Sequence, residues 1–297
     1  MTDWQDWIGR SHRQTDILTP ALVHRHRATL NLAPENPAPL PGIHWVLNLP
    51  EATTSDLGED GHPRRDIADS FLPPIDLPRR MWASSEVEFL TPIPVGATVN
   101  RTSTIADIAG KSGGSGRLAF VTLDHATEVD GVAVVREKQT LVYREAQKSP
   151  SLPREGLGVG ARQIEQSQSI APTPTPPLEG RGLESWPHHR TLTPSETLLF
   201  RFSALTFNTH RIHYDLSYAR DVEGYKGLVV HGPLTATLLL NWATELFGPI
   251  HRFAFRAVSP AFAGEELTLV ALLENGRITL AALGPNGAEC VKASATL

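Results

Sequence analysis

The chain has 297 residues, 40% hydrophobic and 20% charged, which suits one large or two ordinary domains and excludes wholesale disorder. Its net charge of −5, from 27 basic and 32 acidic residues, argues against a surface built to grip nucleic acid. The single cysteine, Cys290, excludes an internal disulfide framework and a Cys-rich zinc site, and it fits a cytoplasmic protein. The longest apolar runs, such as Leu269–Leu273, fall far short of the ~20 residues a membrane helix needs. The acidic, polar start, Met1 to Trp7, is unlike a signal or transit sequence. Neither nucleic acid nor a membrane is expected as a partner.

In chain order, the first strand-like text is the alternating Glu86-Val87-Glu88-Phe89-Leu90. It is followed by the Thr- and Ile-rich Val99–Ile108, the β-branched Leu118–Thr127 and the alternating Val132–Tyr143. The Gly/Ser run Gly110–Gly116 and the pair Asp130-Gly131 separate them, and Asp-Gly tolerates the positive φ of a tight hairpin. From Lys148 to Pro187 prolines recur without helical or strand period, so residues 148–188 read as a linker. This divides the chain into units at 1–147 and 189–297.

The second unit repeats the first. Phe253–Val258, Glu266–Glu274, Arg277–Leu283 and Glu289–Leu297 read as four strands, Asn286-Gly287 stands where Asp130-Gly131 stood, and Pro92/Gly96 match Pro260/Gly264 in spacing. A helix is expected before each set of strands. In the second unit it spans Gly232–Phe247: Pro233 suits the first turn, Leu234, Leu238, Trp242 and Leu246 form an apolar stripe, and Gly248-Pro249 stops it. Ser195–Leu205 reads as another helix, with Thr193/Ser195 as cap signals. A helix followed by antiparallel strands, twice over, predicts an α+β fold in which a curved sheet wraps a helix.

The densest chemical text lies between those two helices, from Arg201 to Pro233, where His210, His213 and His231 cluster. Three readings compete. His210 and His213 are three apart and could ligate a metal, but the His-Glu-x-x-His pattern is absent and no Cys is near. His213 and His231 could be satisfied loop histidines. Or His213 transfers a proton while the start of the Gly232 helix, with its exposed N–H groups and partial positive charge, polarises a carbonyl. Glycine there lets a ligand approach the backbone.

These residues resemble the MaoC-like, R-specific enoyl-CoA hydratase family, whose motif Asp-x-Asn-Pro-x-His is followed by His-Gly at a helix start. Asn208 falls at the Asp position, His213 at the His position, and His231-Gly232 matches the His-Gly. The runs Phe207–Asp215, Val222–Pro233, Leu77–Trp82 and Gly116–Thr122 are similar to the double-hot-dog branch of type 2 3-hydroxyacyl-thioester dehydratases and mesaconyl-C4-CoA or itaconyl-CoA hydratases. The resemblance implies two fused hot-dog units with one active site. The first unit is degenerate and serves as substrate groove: its His44-Trp45 and Asp60-Gly61-His62-Pro63-Arg64-Arg65 do not fit the motif.

It also implies a hydro-lyase that acts on the 2,3 double bond of an enoyl-CoA thioester, with no cofactor and no metal. Short branched dicarboxylic substrates, mesaconyl-C4-CoA or itaconyl-CoA giving citramalyl-CoA, are favoured. The alternatives are a 3-hydroxyacyl-thioester dehydratase of fatty-acid synthesis, a hot-dog acyl-CoA thioesterase and a non-catalytic acyl-CoA-binding protein; a homodimer is compatible with each. His213, Asn208 and Gly232 are the expected catalytic residues. Asn208 cannot act as a base and is expected to position water or substrate. Arg79, Arg80, Arg211, His231 and Tyr214 are the expected substrate-binding residues, since a guanidinium fork matches phosphate and carboxylate alike. Arg211 reads equally as an anchor for the catalytic turn.

Overall fold

The computed structural model describes residues 4–33, 35–66, 70–113, 116–145 and 183–297. Its elements are β1 (Ser11–Ile17), α1 (Pro20–Thr29), β2 (Arg79–Phe89), β3 (Thr98–Gly113), β4 (Gly116–Val129) and β5 (Val132–Arg144), then β6 (His188–Leu192), α2 (Glu196–Leu205), α3 (Gly232–Phe247), β7 (Arg252–Ala257), β8 (Leu267–Glu274), β9 (Arg277–Leu283) and β10 (Glu289–Thr296). The ten strands form one antiparallel sheet in the order β1-β3-β4-β5-β2-β7-β10-β9-β8-β6. Five strands come from each side of residues 146–182, and β2 and β7 join the two sets from Ser84↔Arg256 to Glu88↔Arg252. The expected linker lies outside the described residues from 148 to 182. Its last residues are ordered instead: Leu183–Ser185 form a 3-10 turn, Trp186 is buried against Val270 and Ala281, and His188 already pairs with Ala271.

The internal repeat holds in backbone detail. Gly96 and Gly264 both have positive φ, +89° and +81°. Their N–H groups donate to Leu18 O at 2.7 Å and Pro194 O at 2.8 Å. The next residues, Thr19 and Ser195, cap α1 and α2 by accepting from Leu22 N and Leu198 N, each at 3.2 Å. Asp130-Gly131 and Asn286-Gly287 turn with all four φ positive, between 50° and 77°.

The halves differ in what lies under the sheet. α3 begins at Gly232 as expected, but its buried face is broader than the four-residue stripe. Thr235, Ala236, Leu239, Leu240 and Ala243 are buried along with Leu234 and Trp242, while Leu238 and Leu246 are half-buried. A helix apolar on most sides belongs inside, and each fully buried leucine contributes roughly 1.5–3 kcal/mol. It packs against β10, β9, β7 and β2.

The first half has no counterpart of that length among the described residues. Where a second long helix is expected, two 3-10 turns stand, the buried Ile43–Val46 and the short Thr54–Asp56. The reason is local: the Ile43–Val46 turn is followed at once by Asn48 at a left-handed φ of 52° and by Pro50, neither of which continues a helix. The turn buries Trp45, whose indole N–H lies 3.2 Å from both Glu137 carboxylate oxygens. Among the described residues no helix is long and apolar enough to cross a membrane.

Candidate active site

The segment from Asn208 to Asp215 is a turn held at every point. Phe207 adopts a left-handed φ of 47°, the Asn208 amide oxygen accepts from His210 N at 3.0 Å, and Arg211–His213 form a 3-10 turn. Arg211 donates from Nε and Nη2 to Asp215 Oδ2 at 3.1 and 2.7 Å, and Tyr214 donates to Thr209 O at 3.1 Å. Asn208, Arg211 and Tyr214 therefore all brace the turn, and Arg211 carries its own counter-ion.

The turn presents His213 with a fixed tautomer. Its Nδ1 lies 2.7 Å from Val229 O, a carbonyl that can only accept, so Nδ1 carries the proton. Val229 is itself pinned, through its N–H to Ile212 O at 3.0 Å and a bridge to Phe262. Nε2, with no hydrogen-bond partner among the described residues, keeps the lone pair. Burial lowers the His213 pKa to about 3, helped by the charge of His210 and opposed by the Val229 hydrogen bond. At neutral pH the ring is an uncharged base.

His231 lies against it, with ring centroids 3.5 Å apart and planes 18° from parallel. Its Nε2 bonds Ser203 Oγ at 2.8 Å, and its Nδ1 is buried without a partner. Burial, with the charges of His213 and His210, holds His231 well below the usual histidine range. His231 is also the N-cap of α3, so the stack brings that helix start beside His213. The His231 side chain makes no cap hydrogen bond and Pro233 has no N–H, so the Gly232 and Leu234 N–H groups stand at the helix start without an intrahelical acceptor. Nothing in the fold demands glycine at 232: an added Cβ would come no closer than 3.9 Å to any neighbour, the nearest being Trp82 O.

The first half reaches this site through a loop that did not match the motif. Gly61, at φ +86°, lies so close to the turn that a Cβ would fall 1.9 Å from Thr209 O. Thr209 Oγ1 donates to Gly61 O, Arg211 N donates to Asp60 O at 2.9 Å, and Arg211 Nη1 donates to Glu59 O at 3.1 Å. Asp60 Oδ2 bonds His62 Nδ1 at 2.9 Å, and the His62 ring stands 4.1 Å from that of His210. Burial alone would raise the Asp60 carboxyl, but the hydrogen bond and charge of His62 hold it well below the carboxylate range. Burial and the charge of Arg80 push His62 down against the pull of Asp60. Asp60, His62 and His210 bring ligand atoms within 4.8 Å of one another, close enough for a metal, although Asp60 and His62 are already bonded to each other. Of the two histidines weighed for a metal in the sequence, His210 and His213, only His210 is in this group.

The expected substrate cations behave differently from one another. Arg79 is engaged with Glu223 and with Val222 O. Arg80, on the same strand, is half-buried beside a cavity of about 760 Å³ that His62 and Tyr218 also line. The sequence missed Ser203, Asp60, His62 and Glu223 as site residues; Gly61 between Asp60 and His62 was the available signal, since a glycine among polar residues marks close backbone approach.

Comparison with known proteins is consistent with this geometry. The profile of the family described as hydroxyacyl-thioester dehydratase type 2 matches residues 42–263. A mesaconyl-C(4)-CoA hydratase of Chloroflexus aurantiacus is 41% identical over 304 residues, covering 99% of this chain and 98% of that one. A mitochondrial type 2 hydroxyacyl-thioester dehydratase of Schizosaccharomyces pombe is 37% identical over 95 residues, 31% of each chain. Among solved structures, a MaoC-like dehydratase from Phytophthora capsici superposes with a TM-score of 0.65 at 17% identity, covering 98% of both chains. A Mycobacterium tuberculosis protein described as having a double hot-dog fold superposes with a TM-score of 0.54 at 15% identity, covering 97% of this chain and 96% of that one. The fold is the double hot dog.

Proposed function

The chain belongs to the hydroxyacyl-thioester dehydratase type 2 family and is a hydro-lyase of acyl thioesters, and from that premise we propose that it hydrates a short, branched, dicarboxylic enoyl-CoA of the mesaconyl-C4-CoA type. The hydratase of C. aurantiacus is similar along the whole chain, whereas the fungal dehydratase matches only 31% of it. One observation carries the mechanism: a neutral His213 with Nε2 unprotonated, stacked through His231 against an uncapped helix start.

In the hydration direction, His213 Nε2 takes a proton from water as the water oxygen bonds C3. The C2=C3 pair moves toward the thioester oxygen, which the Gly232 N–H and the α3 dipole stabilise as its charge grows. The same imidazolium then returns its proton to C2, and the C=O re-forms. One base suffices, in keeping with an Asn208 that cannot ionise and whose oxygen closes the turn. Buried and uncharged, His213 needs no proton removed before it acts.

The test is loss of enoyl absorbance on mesaconyl-C4-CoA, with free thiol followed in parallel. Absorbance loss without thiol release is the expected result. Thiol release at the same rate identifies a thioesterase, and absence of both overturns the reading.

A further inference from the structure

Resting on that substrate reading, we infer that Arg80 is the residue that binds the free carboxylate of the acyl chain, and that the first half of the protein thereby sets substrate specificity.

Among the described residues that line the cavity, Arg65 and Arg80 are the arginines without an acid partner, and Arg80 alone of the two has no other polar or ring partner. Arg79 is taken by Glu223, and Arg64 by Asp66 at 2.7 Å. Arg117 takes Asp76 at 3.2 Å, and Asp60 is bonded to His62. Arg65 leans on Leu77 O and the Tyr143 ring. Arg80 has no hydrogen bond, ion pair or ring contact among the described residues. Among the described residues that line the cavity, Glu59 is the remaining acid, and it is exposed. A half-buried guanidinium left unpaired is costly, and an anionic ligand removes that cost. Arg211, the other arginine at the catalytic turn, is committed to Asp215.

Position adds a length argument. Trp82 O is the nearest neighbour of the site where a Gly232 Cβ would stand, so β2 passes the helix start at Trp82. Arg80 is two residues earlier on that strand, about 7 Å away along the chain and on the same face. A four-carbon diacid has its carboxyl carbons only three bonds apart. A thioester oxygen at Gly232 therefore leaves the far carboxylate within reach of a long, forked side chain based at Arg80. A monocarboxylic enoyl chain has nothing to offer it.

The experiment compares kcat/KM for mesaconyl-C4-CoA and crotonyl-CoA, and for the same two acyl groups on N-acetylcysteamine, which lacks the phosphates of CoA. Wild type, Arg80→Met and Arg80→Lys are measured, with melting temperatures alongside. The expected result is that the mesaconyl-to-crotonyl ratio falls at least about 10²-fold in Arg80→Met on both carriers, with partial recovery in Arg80→Lys. Equal losses for both acyl groups on CoA that vanish on N-acetylcysteamine assign Arg80 to a CoA phosphate and overturn the inference. An unchanged ratio, or equal losses everywhere, overturns it too. A wild type that hydrates crotonyl-CoA but not mesaconyl-C4-CoA overturns the substrate reading, and with it the inference, while leaving the hydratase chemistry standing.

Discussion

The two halves share a strand skeleton and part company at the site proposed for the chemistry. Each runs edge strand, capped helix, then four strands, with matched glycines at 96 and 264. Under the sheet, the second half carries the sixteen-residue α3, whose uncapped start stands beside His213. The first carries one buried turn, Ile43–Val46, and the histidine in it, His44, lies beside a carboxylate: Nε2 is 3.4 Å from Glu137 Oε2. One half ends at an uncapped helix start, and the other gathers Trp45, His44 and Ser85 around a buried carboxylate. A left-handed Asn48 and Pro50 end the first half's turn early while its five strands stay paired.

The sharpest test of that contrast exchanges the two histidines for alanine. His213→Ala is expected to lower kcat by about 10²–10⁴-fold in a protein that still folds, as loss of a positioned base does. His44→Ala should shift stability and leave turnover alone. Lost turnover in a stably folded His44→Ala protein breaks the division of labour.

Glu137 measures how far the first half relies on its buried polar cluster. Burial opposes its ionisation, but His44, His125 and Ser85 bring its pKa down to about 2. Removing one partner of a buried, hydrogen-bonded pair is costly, so Glu137→Ala should lose about 3–5 kcal/mol in urea unfolding. A loss under about 1 kcal/mol means that the cluster adds little beyond volume.

Two glycines then separate fold from function. Gly61→Ala combines a positive φ with a clash against Thr209 O and should cost about 1–3 kcal/mol, with turnover falling as the catalytic turn shifts. Gly232→Ala meets only ordinary contacts, so its melting temperature should hold while kcat/KM drops, by up to about 10²-fold if the thioester is displaced by an ångström. Normal kinetics in Gly232→Ala would remove the helix start from the mechanism.

The smallest effect per step is in pH. His26 in the first half, lowered to about 4 chiefly by burial, and His213, lowered to about 3, stay neutral in the fold. The unfolded chain protonates both below about pH 6.5, so it binds more protons and stability falls as pH drops from there toward 4 and 3 respectively. Each group contributes a slope of at most about 1.4 kcal/mol per pH unit. Glu137 adds loss in the same direction between about pH 4.5 and 2. A pH series of urea midpoints should flatten in His26→Gln and His213→Gln, each over its own window. An unchanged slope in either variant excludes that histidine as a source.

What the amino-acid sequence determined by itself was whatever a local period or a short motif encodes. Strands with one buried face alternate and were found, the start of α3 was marked by Gly-Pro, and the catalytic turn stood out as a run of histidines around Asn208. β1 and β6 were missed because they are the two edges of the sheet, half-buried at most along their whole length, so no alternation marks them. Tertiary structure alone decided the rest. Gly61 and Thr209 are 148 residues apart, and no local rule links them, yet their contact carries Asp60 and His62 to the turn. The arginines were likewise equal candidates in sequence. Arg211 found Asp215 one turn away, Arg79 found Glu223 across the fold, and only three-dimensional pairing left Arg80 without an acid among the described residues, because a charge is neutralised by what lies within a few ångströms of it and not by what stands next to it in the chain.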